Sequence, residues 1–373
     1  MKNDLHNSYI GKHLEIPYLV LSFSSTYLNV SSKIIIPSNK LSNKSKMLTY
    51  TQDQLDRYFR HIGYEPKHAD GSQAQYDLGT LTKLQRYHMA RVPFESLTLH
   101  YSQHHRLSLD LEDLFEKIVG KGRGGYCMEV NAFFGAVLRS LGYTLINVGG
   151  RVKAGDKGYQ GWFVVTILLK KSTGKTDSPR RNHMVNIVTI NDKRYLVDVG
   201  FGSNGSVHPV PLEENHIFTT VAPVQGRLEY KSISEHSDSS QRIWVYSTQE
   251  NDSAPWKEMY CFAADMEFFP SDFEVMNLST MTSPQSFFVQ TVMCMWLLLD
   301  EEKEERPPIG VLILHRDYVK RRIGGKCEII EHFESEGQRV NALERYFGIA
   351  LTSKEMEAIR GLPSELKTRG GHL

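Results

Sequence analysis

Two periodicities divide this chain. Between residues 51 and 142 the apolar positions recur every three or four residues, the spacing of one helix face. Leu55, Tyr58, Phe59 and Ile62 form the first such stripe, and Thr51 with Gln54 has the spacing of a capping box. A second helix is predicted over 81–89, ending ahead of Pro93, and a third over 111–119 between Asp110 and Gly120. The fourth begins at Cys127. It carries Val130, Phe133, Phe134, Val137, Leu138 and Leu141 on its apolar face and stops at Gly142. These four helices predict a bundle over residues 47–142.

Beyond Gly142 the pattern changes to that of strands. Segments 144–152, 162–169, 183–190 and 194–199 are rich in β-branched and aromatic residues, and more strands are expected between 226 and 246. A β-barrel over 143–267 follows. Residues 268–373 mix strands (309–315, 327–332) with closing helices (338–347, 353–359), which predicts an α/β lid. The fold class is therefore α+β in three regions. Residues 1–46 are rich in Ser, Asn and Lys, contain only Asp4 and Glu15 as acids, and show no sustained periodicity. They are expected to be a disordered extension, with Met47 as a natural beginning. The charged run 300–306 reads as a solvated turn.

Composition narrows the function by exclusion. A net charge of +1 gives no reason to expect nucleic acid or a membrane surface as partner. The four cysteines (Cys127, Cys261, Cys294, Cys327) are scattered without a CxxC pair, which disfavours a disulfide scaffold or a structural zinc site. That usage fits a reducing, cytoplasmic setting. His100, His104 and His105 have a helical spacing for metal but no carboxylate or cysteine nearby, so they read as surface residues and no metal is expected. The glycine-rich 120–125 stretch lacks the Gly-Lys-Ser/Thr ending of a phosphate loop.

One cysteine stands apart. Cys127 lies where that glycine-rich loop meets the fourth helix, so the helix's unpaired amides and positive dipole end would face its sulfur and favour the thiolate. A thiolate nucleophile needs a base, and the base an orienting group. Asn191-Asp192 fits a two-residue hairpin turn, in which residue 190 opposes 193 and Val185 opposes Asp198. Because side chains alternate, His183 shares a face with Val185, and Asp198 becomes its diagonal neighbour. A loop one residue longer or shorter would place the two on opposite faces. If this hairpin packs against the start of the Cys127 helix, His183 takes the thiol proton and Asp198 fixes the imidazole tautomer, a cysteine-protease-like Cys-His-Asp core.

The surrounding phrases resemble those of the arylamine N-acetyltransferase family. Arg123-Gly124-Gly125-Tyr126-Cys127, followed by Glu129 and Asn131, is similar to its nucleophile motif. Val92-Pro93-Phe94-Glu95-Ser96-Leu97 resembles an upstream motif in which asparagine is usual where Ser96 stands, and Gly149-Gly150-Arg151-Val152 resembles the first barrel strand. His183 and the run from Tyr195 to Gly202 resemble the base and acid segments, while 273–277 and 282–287 resemble the start of the third domain. The likeness covers residues 47–359 and has the flavour of the fungal members.

The resemblance implies ping-pong acyl transfer: Cys127 takes an acetyl group from acetyl-coenzyme A and passes it to an arylamine or arylhydrazine, as in xenobiotic metabolism. Some fungal relatives use malonyl- or other acyl-coenzyme A instead. It assigns Cys127, His183 and Asp198 to catalysis, Phe201 and Asn182 to the acceptor pocket, and Ser283 and Ser286 to coenzyme A. No permanently bound cofactor and no obligate protein partner are implied. Arg123 reads as a structural residue tying the helical region to the barrel, Tyr126 and Glu129 as scaffold, and Lys170, Lys171, Lys175, Arg180 and Arg181 as solvated loop charge. Two rival classes share these features: a transglutaminase-like or other thiol hydrolase, and a non-catalytic homologue that only binds ligands.

Overall fold

The capping signals place the first helices where the periodicity does. In the computed structural model, residues 18–22, 33–37, 49–66, 77–153, 158–159 and 182–367 are described. The chain forms two units, Met1–Leu48 and Thr49–Leu373. In the first, strands β1 (Tyr18–Ser22) and β2 (Lys33–Pro37) pair antiparallel, a regular element within the extension. The expected strand at 162–169 and the basic residues from Lys170 to Arg181 lie outside the described residues.

The second unit opens with α1 (Gln52–Ile62), whose N-cap Thr51 and Gln54 form the capping box, and α2 (Leu78–Arg91), capped by Asp77. A two-residue strand β3 (Phe94–Glu95) precedes α3 (Leu111–Phe115), which continues as a wider π turn through Glu116–Gly120. Then comes α4 (Cys127–Ser140), followed by Gly142 at φ +91°, a left-handed position that suits a residue without Cβ. Tyr58, Phe59, Leu81, Leu84, Phe133, Phe134 and Val137 make the core of this helical region. The same core takes in Leu145, Val188, Tyr195 and Val197 from the strands that follow. The bundle is thus packed on one face of the neighbouring sheet.

That sheet contains β4 (Thr144–Val152), β5 (Asn182–Ile190), β6 (Lys193–Val197), β7 (Val210–Pro211), β8 (His216–Thr219), β9 (Gln225–Lys231), β10 (Ile243–Gln249) and β11 (Lys257–Phe262). The order β7-β6-β5-β4-β11-β10-β9-β8 curls into a nearly closed, barrel-like sheet. The hairpin arithmetic holds: Ile190 pairs with Lys193 and Asn186 with Val197, across a turn in which Asn191 and Asp192 both take positive φ. Val185, Ile187 and Leu196 face the barrel interior with Val148, Tyr246, Tyr260 and Phe262, while Val188 and Val197 face the helices.

The last region carries α5 (Pro270–Thr282), α6 (Phe287–Gln290), β12 (Met293–Leu299), β13 (Pro308–His315), β14 (Tyr318–Ile323), β15 (Lys326–His332), α7 (Glu336–Phe347) and α8 (Ser353–Ala358). Its sheet runs β15-β14-β13-β12-β3, so it borrows a strand from the helical region. Cys294, Leu312 and Leu314 pack towards α7, and Met293, Met295, Val311 and Ile313 pack on the other face. With both faces covered, β12 reads as one unbroken apolar run instead of an alternating one. The charged run 300–306 is the exposed turn between β12 and β13, where Glu301 pairs with Arg91 and Arg306. Among the described residues no helix is long and apolar enough to cross a membrane.

Two expectations need correction. His100 is fully buried and not a surface residue: its Nε2 bonds the Thr291 carbonyl (3.1 Å) and its Nδ1 the Ser364 hydroxyl (2.8 Å). Arg123 pairs with Glu355 of α8 at 3.3 Å, tying the glycine-rich loop before α4 to the C-terminal helix and not to the barrel. Both errors concern partners far away in sequence.

The loop before α4 is pressed onto β3. Gly125 N–H donates to the Pro93 carbonyl, and Glu95 N–H to that of Gly125. A Cβ on Gly124 would stand 1.7 Å from the Pro93 oxygen, a backbone atom that cannot swing aside. Gly124→Ala is therefore expected to destabilise the protein by about 1–3 kcal/mol. Urea unfolding checks this, and an unchanged midpoint would refute the close contact.

Candidate active site

The register brings three side chains into a row. His183, at the start of β5, is 1% exposed, and its Nε2 lies 2.7 Å from Asp198 Oδ2. An ionised carboxylate only accepts, so Nε2 carries the proton of that bond and Nδ1 is left for another partner. Cys127, the first residue of α4, lies close enough to the same ring to raise its pKa, and both residues line one cavity. Cys127 Sγ also approaches the Asn182 carbonyl at 3.7 Å. Gly200 makes the approach possible, because a Cβ there would lie 2.7 Å from Cys127 Cα.

Asp198 is fully buried, and its carboxylate is satisfied from four directions. Oδ2 accepts from His183 and from the Tyr260 hydroxyl at 3.0 Å. Oδ1 accepts from Asn131 Nδ2 at 2.9 Å and the Gly200 N–H at 2.8 Å. Burial pushes this carboxyl up, but the His183 charge and these hydrogen bonds outweigh it and hold it below the usual carboxylate range. On His183 burial acts downward, while Asp198 and then Cys127 act upward, leaving the imidazole raised to about 10.

A polar chain backs the acid. Arg139 donates to Asn147 Oδ1 (2.5 Å), Asn147 to Asn186 Oδ1 (2.5 Å), and Asn186 to the Asn131 carbonyl (3.1 Å). Asn131 then donates to the Met184 carbonyl and to Asp198. Arginine can only donate and the carboxylate only accept, so the amides between them are held in one sense. Asn147 and Asn186 oppose each other across β4 and β5, and Gly135 leaves room for them: a Cβ there would sit 2.7 Å from Asn186 Oδ1.

Cys127 and His183 open onto a cavity of about 770 Å³. That volume suits a drug-sized ligand. Phe201, Asn182 and Ser286 also line it. The Phe201 ring lies 5.0 Å from the His183 ring. Ser283 is not on the wall; it ends α5, with its hydroxyl bonded to Gln285. Phe94, Trp256, Phe288, Met293 and Met295 give the wall its apolar part, and Lys153, Lys257 and Glu258 its charged part. Sequence reasoning missed Tyr260, Asn186 and Trp256. A buried Asn in the otherwise apolar β5 was a usable signal for Asn186, but nothing local marks a barrel tyrosine as a partner of Asp198. Among the described residues no group of His, Cys, Asp or Glu could hold a metal ion.

Comparison with known proteins agrees with this layout. The family model described as N-acetyltransferase matches residues 77–356. The N-malonyltransferase FDB2 of Gibberella moniliformis is 35% identical over 338 residues, covering 86% of this chain and 95% of that protein. Human arylamine N-acetyltransferase 2 is 30% identical over 247 residues, 64% of this chain and 76% of that protein. Among solved structures, the arylamine N-acetyltransferase of Mycobacterium marinum in complex with CoA is similar at TM-score 0.61 and 25% identity, covering 82% of this chain and 98% of that one. The Salmonella typhimurium enzyme shares the fold at TM-score 0.65 and 24% identity, covering 83% and 98%. With this fold, these motifs and these relatives, the chain belongs to the arylamine N-acetyltransferase family, as a member of fungal type.

Proposed function

We propose that this chain transfers an acyl group from acyl-coenzyme A to the amino group of an arylamine or arylhydrazine, through a thioester on Cys127. The observation that carries the reading is the set Cys127, His183 and Asp198, the first two lining a cavity large enough for both substrates in turn and the third buried behind the ring. Asp198 favours the charged form of the ring, so His183 can take the Cys127 proton and hold it as imidazolium. The thiolate attacks the thioester carbonyl, the carbon–sulfur bond to coenzyme A breaks, and the departing thiolate takes the His183 proton. The neutral ring then accepts a proton from the amine as its nitrogen attacks the acyl-cysteine, and the Cys127 thiolate leaves. Asp198 keeps Nε2 protonated throughout and Nδ1 aimed at the reacting atoms. The first N–H groups of α4, which have no partner within the helix, are natural donors to the oxyanion. Phe201 and Asn182 would flank the amine, and Ser286 the coenzyme.

Acetyl-coenzyme A is the donor that family membership suggests. Malonyl-coenzyme A is the second reading, favoured by similarity to N-malonyltransferases over 85–86% of the chain. Brief exposure to each donor without amine is expected to leave one acyl group on Cys127, seen by intact-protein mass spectrometry. The donor that loads faster is the one the site prefers. An absent adduct, or an undiminished one in Cys127→Ser, would sink the mechanism. Continued release of coenzyme A beyond one equivalent per chain, without any amine, would point instead to a thiol hydrolase.

The charge on the pair also sets a pH dependence. His183 rises from 6.5 to about 10 on folding, so the folded chain retains a proton that the unfolded chain releases. Its contribution to stability is complete below about 6.5 and is lost as pH rises through about 10. Asp198 behaves oppositely: its contribution is present above the ordinary aspartate range and is lost as pH falls through its lowered value. Asp198→Asn is expected to flatten the alkaline decline in urea-unfolding free energy across the His183 window. An unaltered slope would count against the charged pair.

A further inference from the structure

Beneath the nucleophile lies a second charged group that the acyl-transfer steps do not use. Glu95 of β3 and Glu129 of α4 are each 1% exposed, and the Lys117 ammonium stands between them. Its Nζ is 2.7 Å from Glu129 Oε1 and 3.6 Å from Glu95 Oε1. Each carboxylate also accepts a backbone N–H from the loop that ends at Cys127. Glu129 Oε2 takes the N–H of Tyr126 (3.2 Å) and Glu95 Oε1 that of Gly124 (3.3 Å), while Glu95 Oε2 takes the N–H of Leu97. The loop is therefore held by two acids, and both acids by one lysine.

Lys117 reaches this point because the chain leaves α-helical geometry there. It lies in the π turn Glu116–Gly120, and its carbonyl accepts the Arg123 N–H at 3.1 Å. Single π turns inside helices recur at functional positions. The charges facing the group are Glu95, Glu129 and Arg123, and His183 faces Cys127 from the sheet. Burial pushes Glu95 up, yet Lys117 first and Arg123 second bring it below the usual range. Burial raises Glu129 as well, and there the opposing pull of Lys117 and the push of Glu95 leave it raised. Without the lysine, two buried acids would share one site beside the end of α4 that must support a thiolate.

We infer that Lys117 is a positioning residue for the nucleophile, clamping Glu95 and Glu129 so that the Gly124–Tyr126 loop presents Cys127 at the start of α4 with its charge balanced. This rests on Cys127 being the nucleophile, and its test uses a reagent that needs neither acyl donor nor amine. Alkylation of Cys127 by iodoacetamide at neutral pH, followed by intact mass, is compared among variants. Lys117→Met is expected to slow alkylation roughly tenfold, because Glu129 in the first turn of α4 then lacks its counter-charge and the loop its clamp. Lys117→Arg is expected to retain most of the rate. Lys117→Met/Glu129→Gln, which keeps an acceptor for Tyr126 N–H and removes the uncompensated acid, is expected to recover it. In steady-state turnover the single variant should lower kcat and leave kcat/KM for the amine, which reports the second half-reaction, unchanged.

A folded Lys117→Met that alkylates at the wild-type rate would overturn the inference. So would a double variant no faster than the single one, since a lysine needed only for packing is not replaced by removing a partner acid. If Lys117→Met does not fold, Lys117→Arg and the double variant decide between these outcomes. Wild-type acyl loading is measured separately: its absence with the alkylation pattern intact would reject the proposed reaction and leave the clamp standing.

Discussion

The buried carboxylate of Asp198 is the constraint around which the rest is arranged. A charge taken out of water costs several kcal/mol unless neighbouring groups replace its hydration. Here they come from four separate elements: the ring of β5, the hydroxyl of β11, the amide of α4 and the backbone after β6. No one of them could satisfy the group alone. Meeting this requirement draws the helical region and the barrel-like sheet together at the place where Cys127 stands. Asn131 shows the economy of this, since the amide that donates to Asp198 accepts the Val199 N–H through its other atom.

A second set of contacts sets the position of the sulfur. The loop before α4 has two consecutive glycines because it is squeezed from both sides: Gly124 lies on the Pro93 carbonyl and Gly125 on the Glu129 side chain. Such close backbone approach leaves no space for a Cβ. The hairpin side contributes Gly200, against which Cys127 rests. The proposed nucleophile is thus located by backbone exclusion, while its charge environment is set by side chains on both strands and helices.

Much of this was legible in advance, and the pattern of misses is physical. Alternation and turn chemistry are local properties, so the β5–β6 register, the shared face of His183 and Asp198, and the caps of α1 and α3 could be worked out from neighbours in sequence. The central strand β12 was harder, because burial on both faces erases the alternation that marks a strand. The helix α5 has apolar residues on all sides, with Val275 and Leu278 exposed and Phe273 and Met276 buried, so its period gave no clear stripe. His100 looked superficial because its partners, Thr291 and Ser364, lie far along the chain. Arg123 was assigned to the wrong neighbour for the same reason.

The sequence by itself determined the change from helical to strand periodicity at Gly142, the hairpin register that puts His183 beside Asp198, and the cysteine at a helix start. Each depends on spacing along the chain, which backbone geometry converts directly into direction. Only the tertiary structure decided that the hairpin docks on the start of α4, that Tyr260 and the Asn147–Asn186 pair complete the surroundings of Asp198, and that Lys117 sits between Glu95 and Glu129. These are contacts between residues distant in sequence. They arise when buried charges and amides must find partners inside a packed interior, a requirement that no local period encodes.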